Sequence, residues 1–288
     1  MRKITTTFLI ILITLLAFAG CNSQNNEGPE AAETSMPSVT NMAGNTTASE
    51  VCNALNDAGF SNVAVFKDWV LDFADSAGKE SRLTDEWVQP GDNDPDLAAC
   101  ADGWEKHHDF SDADCRMTAM LLLDGLIKSE KTDAEYTGTY LMFDVDAIEN
   151  ADRYEVIRKD LGLFTTLFGD RAPGENEDPA EVYGNMWKEY GFSISNENVS
   201  LVNLVFYDQD FGQTFTGHTG VLIKQAEDKY LFVEKLAFEQ PYQAIRVSDT
   251  DQLLGLLAER DEYYGGEGEA GPYVYINGDY LGELRTYN

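Results

Sequence analysis

Along residues 63–74 the apolar positions Phe66, Trp69, Val70 and Phe73 recur at steps of three and four. That spacing predicts an amphipathic helix with one buried aromatic face. Residues 51–60 carry Val51, Leu55 and Phe60, with Gly59 near the end, and predict a shorter helix before it. An apolar run opens at Cys115 and predicts a buried helix over 115–128, followed by a strand over 139–146. Residues 151–168 and 181–190 read as helical, the second closed by Gly191, with a loop over 171–179 between them. From residue 200 the period changes to two. Strands are predicted over 200–207, 219–225 and 229–236, the last two forming a hairpin around Ala226-Glu227-Asp228. A helix over 249–260, an acidic loop over 265–271 and a strand over 272–280 complete the chain. Helices first and an antiparallel sheet afterwards, with helices on one side, is the α+β pattern.

The N-terminal stretch is of another kind. Met1-Arg2-Lys3 is basic, residues 8–19 are apolar and uncharged, and Phe18-Ala19-Gly20-Cys21 ends the run with small residues before a cysteine. Residues 1–20 therefore read as a signal peptide. The arrangement resembles a bacterial lipoprotein signal, in which Cys21 receives lipid, anchors the protein to the membrane and leaves the rest outside the cytoplasm. Residues 21–49 are rich in Asn, Ser, Thr, Ala, Gly and Glu, which predicts a flexible tether. Residues 50–288 are then one folded domain.

Charge narrows the choice of partner. Twenty Lys and Arg face 51 Asp and Glu, a net charge of −31. Nucleic-acid binding needs basic surface and is excluded on that ground. So is lying flat on anionic lipid, which leaves the anchoring to Cys21. With Cys21 lipidated, Cys52, Cys100 and Cys115 remain, and three thiols cannot all pair within one chain. Cys52–Cys100 with a free Cys115 suits catalysis, whereas Cys100–Cys115 abolishes it.

The chemistry centres on Cys115. Asp112 or Asp114 can cap the helix it opens, and the partial positive charge of a helix N-terminus favours a thiolate. Gly217-His218-Thr219-Gly220 places a histidine at the start of one hairpin strand, and Glu234 lies on the other, roughly opposite. A carboxylate there orients the imidazole, so Cys115, His218 and Glu234 read as nucleophile, base and orienter. Glu239 or Gln240 takes the third place if the hairpin register differs, and Lys235 is an alternative surface partner for Glu234. Arg116 is assigned to a substrate carboxylate, with an ion pair to Asp112 or Asp144 as the other reading. Asp92, Asn93, Asp94 and Asp96 start like a calcium loop, but Leu97 stands where Gly is needed. His107 and His108 have no third ligand at zinc spacing and read as surface histidines. No metal and no cofactor is assigned.

Two resemblances rest on these residues. A cysteine helix followed by a histidine strand and a polar third residue resembles the papain-like cysteine hydrolases, including the NlpC-type peptidases of bacterial cell walls. The papain signature around the cysteine is absent, and Asp109 stands about where a glutamine oxyanion donor is usual. Secondly, Trp69-Val70-Leu71-Asp72-Phe73, Asp114-Cys115-Arg116-Met117-Thr118, Gly217-His218-Thr219-Gly220-Val221-Leu222-Ile223 and the run over 232–243 resemble an uncharacterised bacterial lipoprotein family, domain of unknown function 4300. The papain-like resemblance implies an α+β domain that cleaves amide bonds, with cell-wall peptide as the substrate a lipid tether sets beside it. The lipoprotein-family resemblance implies a single domain at the cell surface and no established reaction. The alternative is a lipoprotein on the same fold that binds a peptide or surface protein without turnover, in a cleft furnished by Tyr183, Trp187, Tyr190, Tyr207 and Tyr242.

Overall fold

The computed structural model describes residues 36–133, 136–266 and 268–288. Cys21 and the signal segment lie outside the described residues. In chain order the elements are strand β1 (Ser38–Thr40), helices α1 (Asn45–Asp57), α2 (Val63–Ala77), α3 (Leu97–His107) and α4 (Cys115–Leu123), and strand β2 (Ile127–Lys128). Helices α5 (Met142–Asn150), α6 (Glu155–Arg158), α7 (Leu161–Phe168) and α8 (Pro179–Glu189) follow. Then come β3 (Ser193–Ile194), β4 (Val199–Asp208), β5 (Gln213–Ala226), β6 (Lys229–Lys235), β7 (Tyr242–Val247), α9 (Thr250–Ala258), β8 (Glu269–Ile276) and β9 (Asp279–Glu283).

The architecture is α+β. Seven strands form one sheet in the order β1-β7-β6-β5-β4-β8-β9, and every pairing is antiparallel. Alternation along the strands sends side chains to two cores. Val221, Ile223, Leu231, Val233 and Ala244 meet the helical layer that contains α1, α2 and α4. Leu204, Leu222, Phe232 and Ile245 meet Leu253, Leu254 and Leu257 of α9 on the opposite face. Helices thus cover both faces, because the sheet is apolar on both.

Several expectations change in contact with the structure. The tether reading of 21–49 fails over its last part. There β1 pairs with β7 through Val39↔Ile245, and α1 starts at Asn45. Large apolar residues are few here; burial is achieved by hydrogen bonds instead. Thr40 Oγ1 donates to Thr47 Oγ1 at 2.9 Å, Thr47 N donates to Asp85 at 2.9 Å, and Asn41 Nδ2 donates to the Tyr242 carbonyl at 3.3 Å. The strand expected over 139–146 is instead occupied largely by helix α5, in which Asp144, Ala147 and Ile148 turn inward while Met142 and Phe143 stay exposed. The helix from Cys115 stops at Leu123, and Gly125 at φ 80° turns the chain into β2. The three described cysteines are buried free thiols, so neither disulfide is formed. Cys52 lies near Lys67, whereas Cys100 lies near Ser81 and Lys235, and burial pushes both thiols up to about 11. Tyr183, Trp187 and Tyr242 are core residues and furnish no cleft.

Candidate functional site

The loop before α4 is buried from Asp112 onward. Asp114 is the cap: its Oδ1 accepts the Met117 N–H at 2.8 Å. Asp112 does not cap; its Oδ2 lies 2.7 Å from the Lys235 ammonium, with both side chains fully buried. Lys235 therefore does not pair with Glu234 at the surface. Arg116 reaches Asp144 through Nε and Nη2 at 2.8 and 2.9 Å, Asp114 through Nη2 at 2.7 Å, and the Thr216 carbonyl through Nη1 at 2.9 Å. That bidentate clamp takes up its donors, so the structural pair with Asp144 accounts for Arg116 and a substrate carboxylate does not.

Cys115 is the first residue of α4 and is 4% exposed. Its pKa is raised, not lowered as a helix N-terminus alone predicts. Burial is the largest cause; the Asp114 and Asp144 carboxylates add to it, against Arg116 and a hydrogen bond from the Thr219 backbone N–H. The resting group is a thiol. The Thr219 contact places the sulfur where the β5–β6 ladder ends: Gly220↔Glu234 is the last pair, and Thr219 has no partner on β6. The start of α4 fills that opening.

Glycines flank His218 on β5 and set its local geometry. Leu204 pairs with His218 and Val205 with Thr216, so Gly217 is the extra residue of a bulge. A Cβ on Gly217 would stand 2.4 Å from the Phe206 ring, and one on Gly220 2.3 Å from the Phe232 ring. The hairpin register offsets His218 from Glu234 by two positions, because Glu234 pairs with Gly220. The two side chains share the sheet face and meet diagonally, His218 Nε2 to Glu234 Oε2, at 2.6 Å. Glu239 and Gln240 do not reach the histidine: Glu239 accepts the Asp112 N–H at 3.3 Å, and the Gln240 carbonyl accepts from Lys235.

Two residues complete this group that the sequence does not single out, Arg260 just beyond α9 and Tyr263. Arg260 Nη1 donates to Glu234 Oε1 at 2.8 Å and to the Tyr263 hydroxyl at 2.6 Å, while its Nη2 donates to Gln243 Oε1 at 3.1 Å. The Tyr263 hydroxyl lies 3.1 Å from both Glu234 Oε2 and His218 Nε2. Burial acts to raise the Glu234 carboxyl; the Arg260 charge and the His218 hydrogen bond overcome it and hold the group down at about 2. Nε2 is thus committed, and His218 Nδ1 has no hydrogen bond among the described residues. Cys115 and His218 are not hydrogen-bonded to each other. Arg-x-x-Tyr after a helix carries no pattern that marks it, which is why both residues escape a reading by motif.

The other candidates have structural work. Asp96 caps α3 by accepting the Ala99 N–H at 3.0 Å, and Asp94 pairs with Arg82 at 3.0 Å. His108 is no loose surface residue: it stacks on Trp104 at 3.8 Å, and its Nε2 lies 3.1 Å from Ser76 Oγ. Asp109 is exposed. An open cleft of about 340 Å³ is lined in part by Val39, Leu97, Leu236 and Ile245 and also by Gln243 and Arg260, and so touches the group that holds Glu234.

Fold and site together define an α+β domain with a buried His218–Glu234 pair and a free thiol at the first residue of α4. The chain belongs to a family of unknown function, DUF4300, whose match covers residues 38–281. No curated protein and no solved structure matches it.

Proposed function

We propose that the protein is a surface-tethered cysteine hydrolase of papain-like layout, a peptidase or amidase acting on cell-wall peptide. The observation that carries this reading is the buried His218–Glu234 contact at 2.6 Å, with a free thiol on a helix N-terminus hydrogen-bonded to the backbone of Thr219, the residue after His218. A buried ionised carboxylate is costly unless it is held, and here Arg260, Tyr263 and His218 all hold it. In the reaction His218 Nδ1 takes the Cys115 proton, the sulfur attacks an amide carbonyl, and the imidazolium returns the proton to the leaving amine. Glu234 orients His218 and stabilises its charge. The thiol is neutral at rest, so proton transfer accompanies attack, and the Cys115–His218 contact tightens in the reactive complex. Lipid on Cys21 anchors the domain to the outside of the cell membrane, which sets it beside the wall.

The test is hydrolysis of wall stem peptides by the full chain. Cys115→Ala and His218→Ala should each abolish turnover, and retained turnover in Cys115→Ala sinks the mechanism. The burial and raised pKa of Cys115 favour a second reading, a binding lipoprotein without turnover. In that case peptide binding survives in Cys115→Ala and no hydrolysis is seen in the native chain.

A further inference from the structure

Lys235 is a fully buried charged residue. Its side chain and that of Asp112 are both fully buried, with Nζ 2.7 Å from Asp112 Oδ2. The contact is close but poorly directed, since both Asp112 oxygens lie buried without a hydrogen-bond partner of good geometry among the described residues. The ammonium sits over the Phe73 and Tyr242 rings at 4.1 and 4.6 Å. Glu239, held at φ 52°, aims its carboxylate at the Asp112 backbone N–H, 3.3 Å away. Removing two charges from water costs several kcal/mol per ion, and a close pair recovers this only if its hydrogen bonds are complete. Those of Asp112 are not.

We propose that Lys235 and Asp112 condense into an intramolecular amide, with Glu239 as the proton carrier. The step balances without any co-reactant. The ammonium gives a proton to the carboxylate, and the Nζ lone pair attacks Asp112 Cγ. Glu239 then takes the second proton from Nζ and hands it to the departing hydroxyl. One N–C bond forms, one C–O bond breaks, and one water leaves. Two buried charges become one neutral amide. The surroundings support each part. Burial draws the Lys235 pKa down, with Asp112 opposing, which favours the free amine. Burial raises the Glu239 carboxyl, so that it can hold a proton. Aromatic rings exclude the water that reverses the reaction. The bond joins the loop leading into α4 to the end of β6, two positions otherwise held by the ion pair and by the Asp112 N–H on Glu239.

The experiment is peptide mapping of the purified full chain after denaturation and trypsin digestion. The expected product is residues 107–116 joined to 230–246, about 18 Da lighter than the two peptides together, with no cleavage after Lys235. Linear 107–116 and 230–235 as the main species overturn the proposal. Glu239→Gln should fold, as judged by circular dichroism, and yield the linear peptides. Full cross-linking in Glu239→Gln removes Glu239 from the reaction. The native digest decides the bond whether or not any variant folds.

Discussion

Tyr263 lies flat against the His218 imidazole, with ring centroids 4.4 Å apart and planes inclined by 24°. Its hydroxyl is also within hydrogen-bond distance of the histidine and its carboxylate. One side chain therefore fixes both the plane and the polar edge of the base. Tyr263→Phe keeps the stacking and removes one buried hydroxyl, so a loss of about 1 kcal/mol is expected. Tyr263→Ala also opens a cavity and should cost about 3–5 kcal/mol. Urea unfolding of the two variants checks this; equal losses would contradict the stacking role.

Arg260 is the cation opposite Glu234, and the carboxylate is completely buried. Arg260→Met leaves that charge without its main partner. Breaking a buried pair from one side typically costs 3–5 kcal/mol, and a loss of about that size is expected. In the double variant with Glu234→Gln most of it should return, which a double-mutant cycle measures directly.

The lowered Glu234 pKa has a defined sign in stability. The native state binds fewer protons than the unfolded chain between the ordinary carboxylate value and about 2, so stability from this group is complete above that ordinary value. It is lost as pH falls toward about 2. Acidification also relieves repulsion in a chain of net charge −31, so the readout is the difference between the native chain and Glu234→Gln. That difference should shrink from pH 6 to pH 3; a constant difference disproves the linkage.

The Cys115 thiol is raised first by burial and then by Asp114 and Asp144. Alkylation of the native protein at neutral pH should be slow at this position. Asp144→Asn removes one negative neighbour. If the pKa falls by one unit, the thiolate fraction rises about tenfold, because one unit is a tenfold change in the ionisation constant. Site-resolved alkylation rates test the point, and an unchanged rate means that Asp144 does not govern the thiol.

Gly220 faces the Phe232 ring with no room for a methyl group. Gly220→Ala should cost about 1–3 kcal/mol through overpacking. It should also disturb His218, two residues away, which a shift of the histidine ring resonances in NMR reports.

Periodicity made much of this molecule legible. The aromatic stripe of α2 is buried as the spacing demands, and the β5–β6 hairpin places His218 and Glu234 in contact even though the register is two residues from direct opposition. Three parts were not legible, each for a physical reason. In β1 and the start of α1, Thr40, Asn41 and Thr47 are buried by hydrogen bonding, which leaves no apolar pattern. In α3 only Cys100, Gly103 and Trp104 are buried, and two of the three are small, which leaves a single large apolar residue and no repeat. Residues 139–146 alternate too weakly to separate strand from helix, and the inward turn of Asp144 is decided by Arg116, 28 residues away. Arg260 and Tyr263 join the site only through the fold.

The raised thiols bear on survival as much as on reaction. Oxidation and thiol–disulfide exchange both proceed through the thiolate, and both need access to the sulfur. Cys52, Cys100 and Cys115 are buried, and all three are held protonated. In an oxidising compartment these three thiols stay reduced without a reductant, and none of the three offers a ready partner for a mixed disulfide.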